Sequence, residues 1–300
     1  MNCIITGGTG LIGKALIKKL LRGNNNVWSI VHSAADRFEN EISQIVCDFS
    51  KGGSSEIDFL DCNADAVVHL VQSNKYKEFP FKADDLFYTN VDSTFRMLEY
   101  ARKNGVKTFV LASSGGIYGY GENPFIEDDG RIRQENLGFY LSTKMCAEAL
   151  AENYKEYMNI VILRFFFVYG PYSKNTMLLP RLIMSVYSGN QIILQGKSGI
   201  NINPIYVDDA AEAIVRSLRL NESCCINIAG TEVISLRDLS EKIGLKLGKK
   251  PIFKVENCLP KHLVADTSNM EILLGKAETT LDMGLDKLIV SMEKRNYLCH

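Results

Sequence analysis

A chain of 300 residues, 46% apolar and 23% charged with a formal net charge of −1, is long enough to bury one large core or two modest ones. That balance offers no electrostatic basis for binding nucleic acid or an anionic membrane, and no apolar run approaches the length that spans a bilayer. The start has no basic stretch followed by an apolar one and the eight cysteines form no CxxC pair, so we expect reduced thiols in a soluble, cytoplasmic protein. His32, His69, His262 and His300 lack ligand spacing, and no metal site is expected.

The first strand is predicted at Cys3 to Ile5, and it runs directly into Thr6-Gly7-Gly8-Thr9-Gly10-Leu11-Ile12-Gly13. Glycines at 7, 10 and 13 allow a tight turn, close approach of backbone to a ligand, and packing of the next helix on the sheet. That helix is predicted from Leu11 to Leu21, and its N-terminal N–H groups suit a pyrophosphate. Gly7, Gly10, Leu11, Ile12 and Gly13 are therefore candidate dinucleotide contacts.

Strand two, Val27 to Val31, ends at His32-Ser33, where NAD-binding folds place an acidic residue for the ribose hydroxyls. None is present. His32, Ser33 and Arg37 either receive a 2′-phosphate, favouring NADP, or form a polar loop. Strand three, Gln44 to Cys47, leads to Asp48-Phe49, placed to edge and cover an adenine; strand four, Ala66 to Leu70, is almost wholly apolar, as a buried parallel strand should be, and Leu70 at its end joins the candidate cofactor contacts.

A helix is predicted from Asp84 to Lys103, with Leu86, Val91, Phe95, Met97, Leu98 and Ala101 as its apolar positions. Strand five, Thr108 to Ala112, ends in Ser113-Ser114-Gly115-Gly116, a helix starts near Gly138, and strand six is Ile160 to Arg164. This alternation predicts an α/β, Rossmann-type doubly wound parallel sheet. Beyond Pro171 it loosens into helices at 178–187, 208–218, 236–247 and 281–293 and strands at 191–194, 225–228 and 252–255. We expect a dinucleotide-binding domain over residues 1–172 plus about 204–230, and a smaller C-terminal substrate-binding lobe over 173–203 and 231–300.

Tyr140 and Lys144 stand four apart on the helix that begins near Gly138, so they share a face. A tyrosine can protonate or deprotonate a substrate oxygen if its pKa is lowered, and a neighbouring ammonium does that. Ser114, at the carboxyl end of strand five, can bond the same oxygen. Alternatively the pair is a solvated helix face and the serines a loop; the glycine motif upstream favours the catalytic triple.

In these motifs the chain resembles the extended short-chain dehydrogenase/reductase family, the NAD(P)-dependent epimerases and dehydratases of sugar nucleotides, over nearly its whole length. The resemblance rests on the glycine loop, on Ser113-Ser114-Gly115-Gly116-Ile117-Tyr118-Gly119 and Tyr140-Leu141-Ser142-Thr143-Lys144. It continues in Arg164-Phe165-Phe166-Phe167-Val168-Tyr169-Gly170-Pro171, Tyr206-Val207-Asp208-Asp209 and Ala265-Asp266-Thr267-Ser268. It implies that Tyr140 is the acid/base, that Lys144 also bonds the nicotinamide ribose, that Ser114 positions the substrate oxygen, and that Asp48 and Phe49 hold adenine. It further implies a homodimer through the helices around 84–103 and 138–157.

Departures from the family pattern narrow the chemistry. Dehydratases carry an Asp-Glu pair, and sugar decarboxylases a glutamate, where this chain has Gly115-Gly116, so both reactions lack their second acid/base. Epimerase-reductases such as GDP-fucose synthase use a cysteine and a histidine where this chain has Gly115 and Met177. What remains is 4-ketoreduction or 4-epimerisation of a nucleotide-linked sugar bound near Ser114, Gly115 and Gly116; the missing acidic residue favours NADP and a reductase, whereas epimerases keep NAD bound. Phe167 replaces an asparagine and Ile202 an arginine that grips diphosphate, leaving Lys174, Arg181 or Lys197 for that task. The rivals are a reductase of a non-sugar carbonyl and a non-catalytic dinucleotide sensor.

Overall fold

The computed structural model describes residues 1–33, 42–52, 63–129 and 137–298; Arg37 lies outside the described residues. The first half runs β1 (Asn2–Thr6), α1 (Leu11–Arg22), β2 (Asn26–Val31), β3 (Ser43–Val46), β4 (Ala66–His69), α2 (Ala83–Phe87), α3 (Ser93–Lys103), β5 (Thr108–Ser114), α4 (Gly138–Glu152) and β6 (Asn159–Phe165). It continues through α5 (Leu178–Ser188), β7 (Gln191–Gln195), β8 (Asn201–Ile202), α6 (Val207–Ser217), β9 (Cys224–Ile228), β10 (Ile234–Ser235), α7 (Leu236–Leu247), β11 (Ile252–Glu256), α8 (Ser268–Leu273) and α9 (Leu281–Lys294).

Seven strands form one sheet in the order β3-β2-β1-β4-β5-β6-β9. The pairs β1 with β2, β1 with β4, β2 with β3, and β4 with β5 are parallel, with Cys3 opposite both Val27 and Ala66. Strands covered on both faces must be apolar throughout. Ile4, Ile5, Val67, Val68, Phe109 and Val110 accordingly have no exposed surface. Strand order reverses between β1 and β4, and a ligand crevice opens at the carboxyl ends of strands on either side of such a reversal.

The helix predicted over 84–103 is interrupted. A wide π-turn, Tyr88–Asp92, separates α2 from α3 and carries the buried Asn90 inward. Asn90 Oδ1 accepts from Ser73 N–H at 2.9 Å and its Nδ2 donates to Thr143 Oγ1 at 2.8 Å. Hydrophobic periodicity has no term for these polar bonds. Phe95, expected among the apolar core positions, is 47% exposed, whereas Met97, Leu98 and Ala101 pack with Ala147 and Ala151 of α4.

The chain divides into two compact units, the first comprising Met1–Ile117, Gly130–Arg164 and Ala211–Ile226, and the second Tyr118–Asp129, Phe165–Ala210 and Asn227–His300. Within the second, β7 pairs in parallel with β11 and β8 antiparallel with β10. Tyr118 stacks on Phe125 with ring centroids 5.0 Å apart, and Asn203 exchanges two hydrogen bonds with the Ala265 backbone. Side-chain caps start two of its helices: Ser235 accepts from Asp238 N–H, and Thr280 from Met283 N–H. No helix among the described residues is long and apolar enough to cross a membrane.

Candidate active site

The glycine loop joins β1 to α1 beside the end of β4. Gly7 has φ +70°, and a Cβ there would lie 2.8 Å from Val71 N. At Gly13 a Cβ would lie 2.4 Å from Gly7 O, so the first turn of α1 rests directly on the loop. Gly10 caps α1 without a side chain, leaving the first-turn N–H groups, those of Leu11, Ile12 and Gly13 among them, without intrahelical acceptors. These donors, together with the helix dipole, suit a pyrophosphate.

A buried chain of polar groups anchors this loop. Thr6 Oγ1 accepts from the Leu70 and Val71 N–H groups, each at 3.2 Å, and lies 3.0 Å from His69 Nδ1. Ser93 gives its proton to Thr89 O at 2.5 Å, so its oxygen accepts from His69 Nε2–H at 3.2 Å. The ring is therefore the neutral Nε2–H tautomer. Burial, aided by the field of Lys144, pushes its pKa down to about 3.

At the ends of β2 and β3, His32 Nδ1 lies 3.1 Å from Asp48 Oδ1. Asp48 also accepts from Ser50 N–H and faces Lys51 Nζ at 3.2 Å. Burial works against its charge, but bonds from Ser50 and Lys51 and the nearby His32 hold the carboxyl below the usual range. Ser33, next to His32, is half-buried. The Phe49 ring is 5% exposed and meets His69 edge-on at 6.4 Å. It packs in the core beside His69.

Tyr140 and Lys144 stand on α4. The Tyr140 hydroxyl donates to Gln72 Oε1 at 3.1 Å, and its ring lies 5.7 Å from that of Tyr76. Burial, with a smaller contribution from Tyr76, raises the phenol's pKa above the ordinary tyrosine value. Lys144, 4% exposed, donates to Ala112 O at 3.0 Å, and burial lowers its pKa to about 8 against the opposing field of Glu148. Two residues beyond Ala112, Ser114 Oγ accepts from Gly116 N–H at 3.1 Å. Gly115 begins the short turn Gly115–Tyr118, and a Cβ on Gly116 would lie 2.9 Å from Leu141 Cδ2. Lys144 thus ties α4 to β5, and Leu141 packs against the Gly115-Gly116 turn.

In the second unit, a cavity of about 330 Å³ is lined by Tyr120, Arg181, Gln195, Glu256 and Lys261 among others. Gln195 Oε1 is buried with no hydrogen-bond partner among the described residues. Arg181 is thus the cation of the predicted three that lines this cavity, joined by Lys261. Lys174 and Lys197 are exposed and not among its lining residues; Lys197 contributes its carbonyl to Arg237 at 2.7 Å. Phe167 is half-buried at φ +44° against the Tyr118 and Phe166 cluster, and Ile202 is fully buried.

A model of the NAD dependent epimerase/dehydratase family matches residues 3–229. The chain belongs to that family. The UDP-N-acetyl-alpha-D-glucosaminuronate decarboxylase of Bacillus cytotoxicus is 28% identical over 81% of this chain and 79% of its own length. The dTDP-4-dehydro-6-deoxyglucose reductase of Escherichia coli is 28% identical over 96% of each. The structure of UDP-glucuronic acid 4-epimerase from Bacillus cereus, in complex with UDP-glucuronic acid and NAD, matches with a TM-score of 0.86 at 24% identity, over 98% of this chain and 100% of that one.

These relatives are named for three different reactions, so membership in the family alone leaves the reaction open. Gln72, Asn90, Glu148 and Lys261 escaped the sequence reading. No motif marks an isolated glutamine or a lysine in a loop, and Asn90 acts through a local break in helical geometry. Glu148 did carry a signal, since a glutamate one turn past Lys144 on an apolar helix face needs a buried partner.

Proposed function

We propose that this chain is an NAD-dependent 4-epimerase of a nucleotide-linked sugar. The observation that carries this reading is the composition of the acid/base set. Tyr140, Lys144 and Ser114 stand on packed elements, while the adjacent turn is Gly115-Gly116, with Leu141 covering the place where a side chain would begin. One acid/base suffices for moving hydrogen at a single carbinol carbon; elimination and decarboxylation as the family performs them use a carboxylate at that turn.

The glycine loop fits a dinucleotide pyrophosphate, with Gly7, Gly10 and the Leu11, Ile12 and Gly13 N–H groups as its holders and Asp48 toward the adenosine end. When bound, the nicotinamide supplies reversible hydride acceptance. Tyr140 takes the proton from the 4-hydroxyl as it becomes a ketone and returns it on reduction. The Lys144 ammonium favours the phenolate that takes this proton and that forms again when the proton is returned, and the Ser114 hydroxyl bonds the same oxygen. The missing acidic residue after β2 points to NADP, but His32 Nδ1 faces the Asp48 carboxylate at 3.1 Å, a negative charge that disfavours a 2′-phosphate beside it and supports NAD. The cavity with Arg181 and Lys261 supports a nucleoside diphosphate on the sugar. Phe87, Phe95 and Tyr157, all at least 47% exposed on or near the helices 83–103 and 138–152, support a homodimer.

Two measurements test the function. Mass spectrometry of denatured, freshly purified protein should release NAD, and incubation with UDP-glucuronate or UDP-glucose should yield the 4-epimer. Tyr140→Phe should retain NAD and lose turnover by roughly a hundredfold or more. A second reading, 4-ketoreduction, is favoured by the reductase relative that aligns over 96% of both chains. An empty cofactor site, NADPH consumption with a 4-keto sugar and no epimer would replace the first reading with the second.

A further inference from the structure

Glu148 is a fully buried carboxylate that the proposed chemistry does not use. Arg164 of β6 meets it with a two-pronged contact, Nε to Oε1 at 3.1 Å and Nη2 to Oε2 at 2.9 Å. The Ser113 hydroxyl of β5 donates to Oε1 as well. Lys144 stands one helical turn earlier on α4 and is itself 4% exposed. Among the described residues, Arg164 therefore meets the Glu148 carboxylate directly, and the Lys144 ammonium feels its field from one turn earlier on the same helix. A buried charge without a counter-charge sheds or takes up a proton, and an arginine cannot shed one. Without Glu148, the group that would yield is Lys144.

Three consecutive β5 residues report the same arrangement. Ala112 O accepts from Lys144, Ser113 Oγ donates to Glu148, and Ser114 Oγ accepts from Gly116 N–H. Glu148 and Lys144 thus grip adjacent residues of the strand that ends in the candidate serine. We propose that Glu148 is a positioning residue, a buried counter-charge shared by Arg164 and Lys144 and anchored to β5 through Ser113, which keeps the lysine charged one turn from Tyr140. Its relevance to turnover rests on the reading of Tyr140 and Lys144 given above. Among the described residues, Tyr140 stands one turn before Lys144 on α4, Arg164 of β6 pairs with Glu148, and His69 of β4, held neutral, feels the Lys144 charge.

Protein carrying [13C-ε]lysine, titrated by NMR, tests this without any substrate. The signal lost in Lys144→Arg identifies Lys144, whose pKa, lowered by burial to about 8, should set its midpoint apart from the ordinary lysine value of about 10.4. Glu148→Gln keeps the shape and removes the charge, and the Lys144 midpoint should fall by about one pH unit. Should Glu148→Gln fail to fold by circular dichroism, Arg164→Met removes the cation that meets the carboxylate directly, and the Lys144 midpoint should rise by a similar amount. A folded variant of either kind whose Lys144 titrates at the wild-type pH overturns the proposal. A negative sugar assay leaves this titration unaffected, so the two readings fail separately.

Discussion

The Tyr140 hydroxyl donates to Gln72 Oε1 across 3.1 Å, and buried side chains hold the backbone on both sides of Gln72: Thr6 Oγ1 takes the Val71 N–H and Asn90 Oδ1 the Ser73 N–H. A phenol that must lose and regain a proton gains from a partner able to serve both states. The amide carbonyl accepts from the phenol, and the same amide, turned over, donates to the phenolate. Gln72→Leu should lower kcat about tenfold, the value of one hydrogen bond of roughly 1.4 kcal/mol, with KM changed by less than about twofold. Steady-state kinetics on the epimerised sugar nucleotide decides it; an unchanged kcat removes Gln72 from the chemistry.

Asn90 closes a ring of bonds around that pair. It accepts from Ser73 N–H and donates to Thr143 Oγ1, which in turn donates to Tyr140 O at 2.6 Å. Asn90→Ala leaves a buried N–H and a buried hydroxyl short of a partner, and the cost should be about 2–3 kcal/mol. Urea unfolding measures that loss, and a stability equal to wild type means that water replaces the amide.

Gly116 and Leu141 share one volume. A Cβ on Gly116 would lie 2.9 Å from Leu141 Cδ2, so Gly116→Ala should displace Leu141, the neighbour of Tyr140, at a cost of about 1–2 kcal/mol. Adding Leu141→Ala should recover activity and part of the stability, a coupling that a double-mutant cycle reads directly. Additive effects would show that the two side chains do not compete.

His69 makes stability depend on acid. Its folded pKa, near 3, lies below the unfolded value of about 6.5, so the unfolded chain binds the extra proton throughout that interval. Stability from this group is complete above about pH 6.5 and is lost as pH falls towards 3, to the extent of roughly 4 kcal/mol. Urea midpoints at pH 7 and pH 4 should differ less in His69→Gln than in wild type. Equal differences in the two proteins would place the acid sensitivity elsewhere.

How much was legible beforehand follows from the range over which each signal acts. The glycine loop, the β-α alternation and the Tyr140 to Lys144 spacing are local patterns, and the mostly parallel sheet in the order β3-β2-β1-β4-β5-β6-β9 follows from them with few alternatives. His32 was legible only as a polar residue after a strand. Its pairing with Asp48, sixteen positions on and across the β2-β3 pair, gives this candidate phosphate contact a carboxylate partner that no local pattern shows. Phe49 likewise reads as an aromatic at a strand end, and only the fold shows that its ring meets His69 edge-on.

The sequence by itself determined the family, the sheet and the residue types available for chemistry, because these are written in spacings of a few residues. Only the tertiary structure decided which groups meet. The Gln72 contact with Tyr140, the sharing of Glu148 by Ser113 and Arg164, and the break in the 83–103 helix at Asn90 each join residues between 16 and 68 positions apart. Side-chain bonds of that reach depend on how strands and helices pack, and packing follows from the whole core at once, so no local pattern records it.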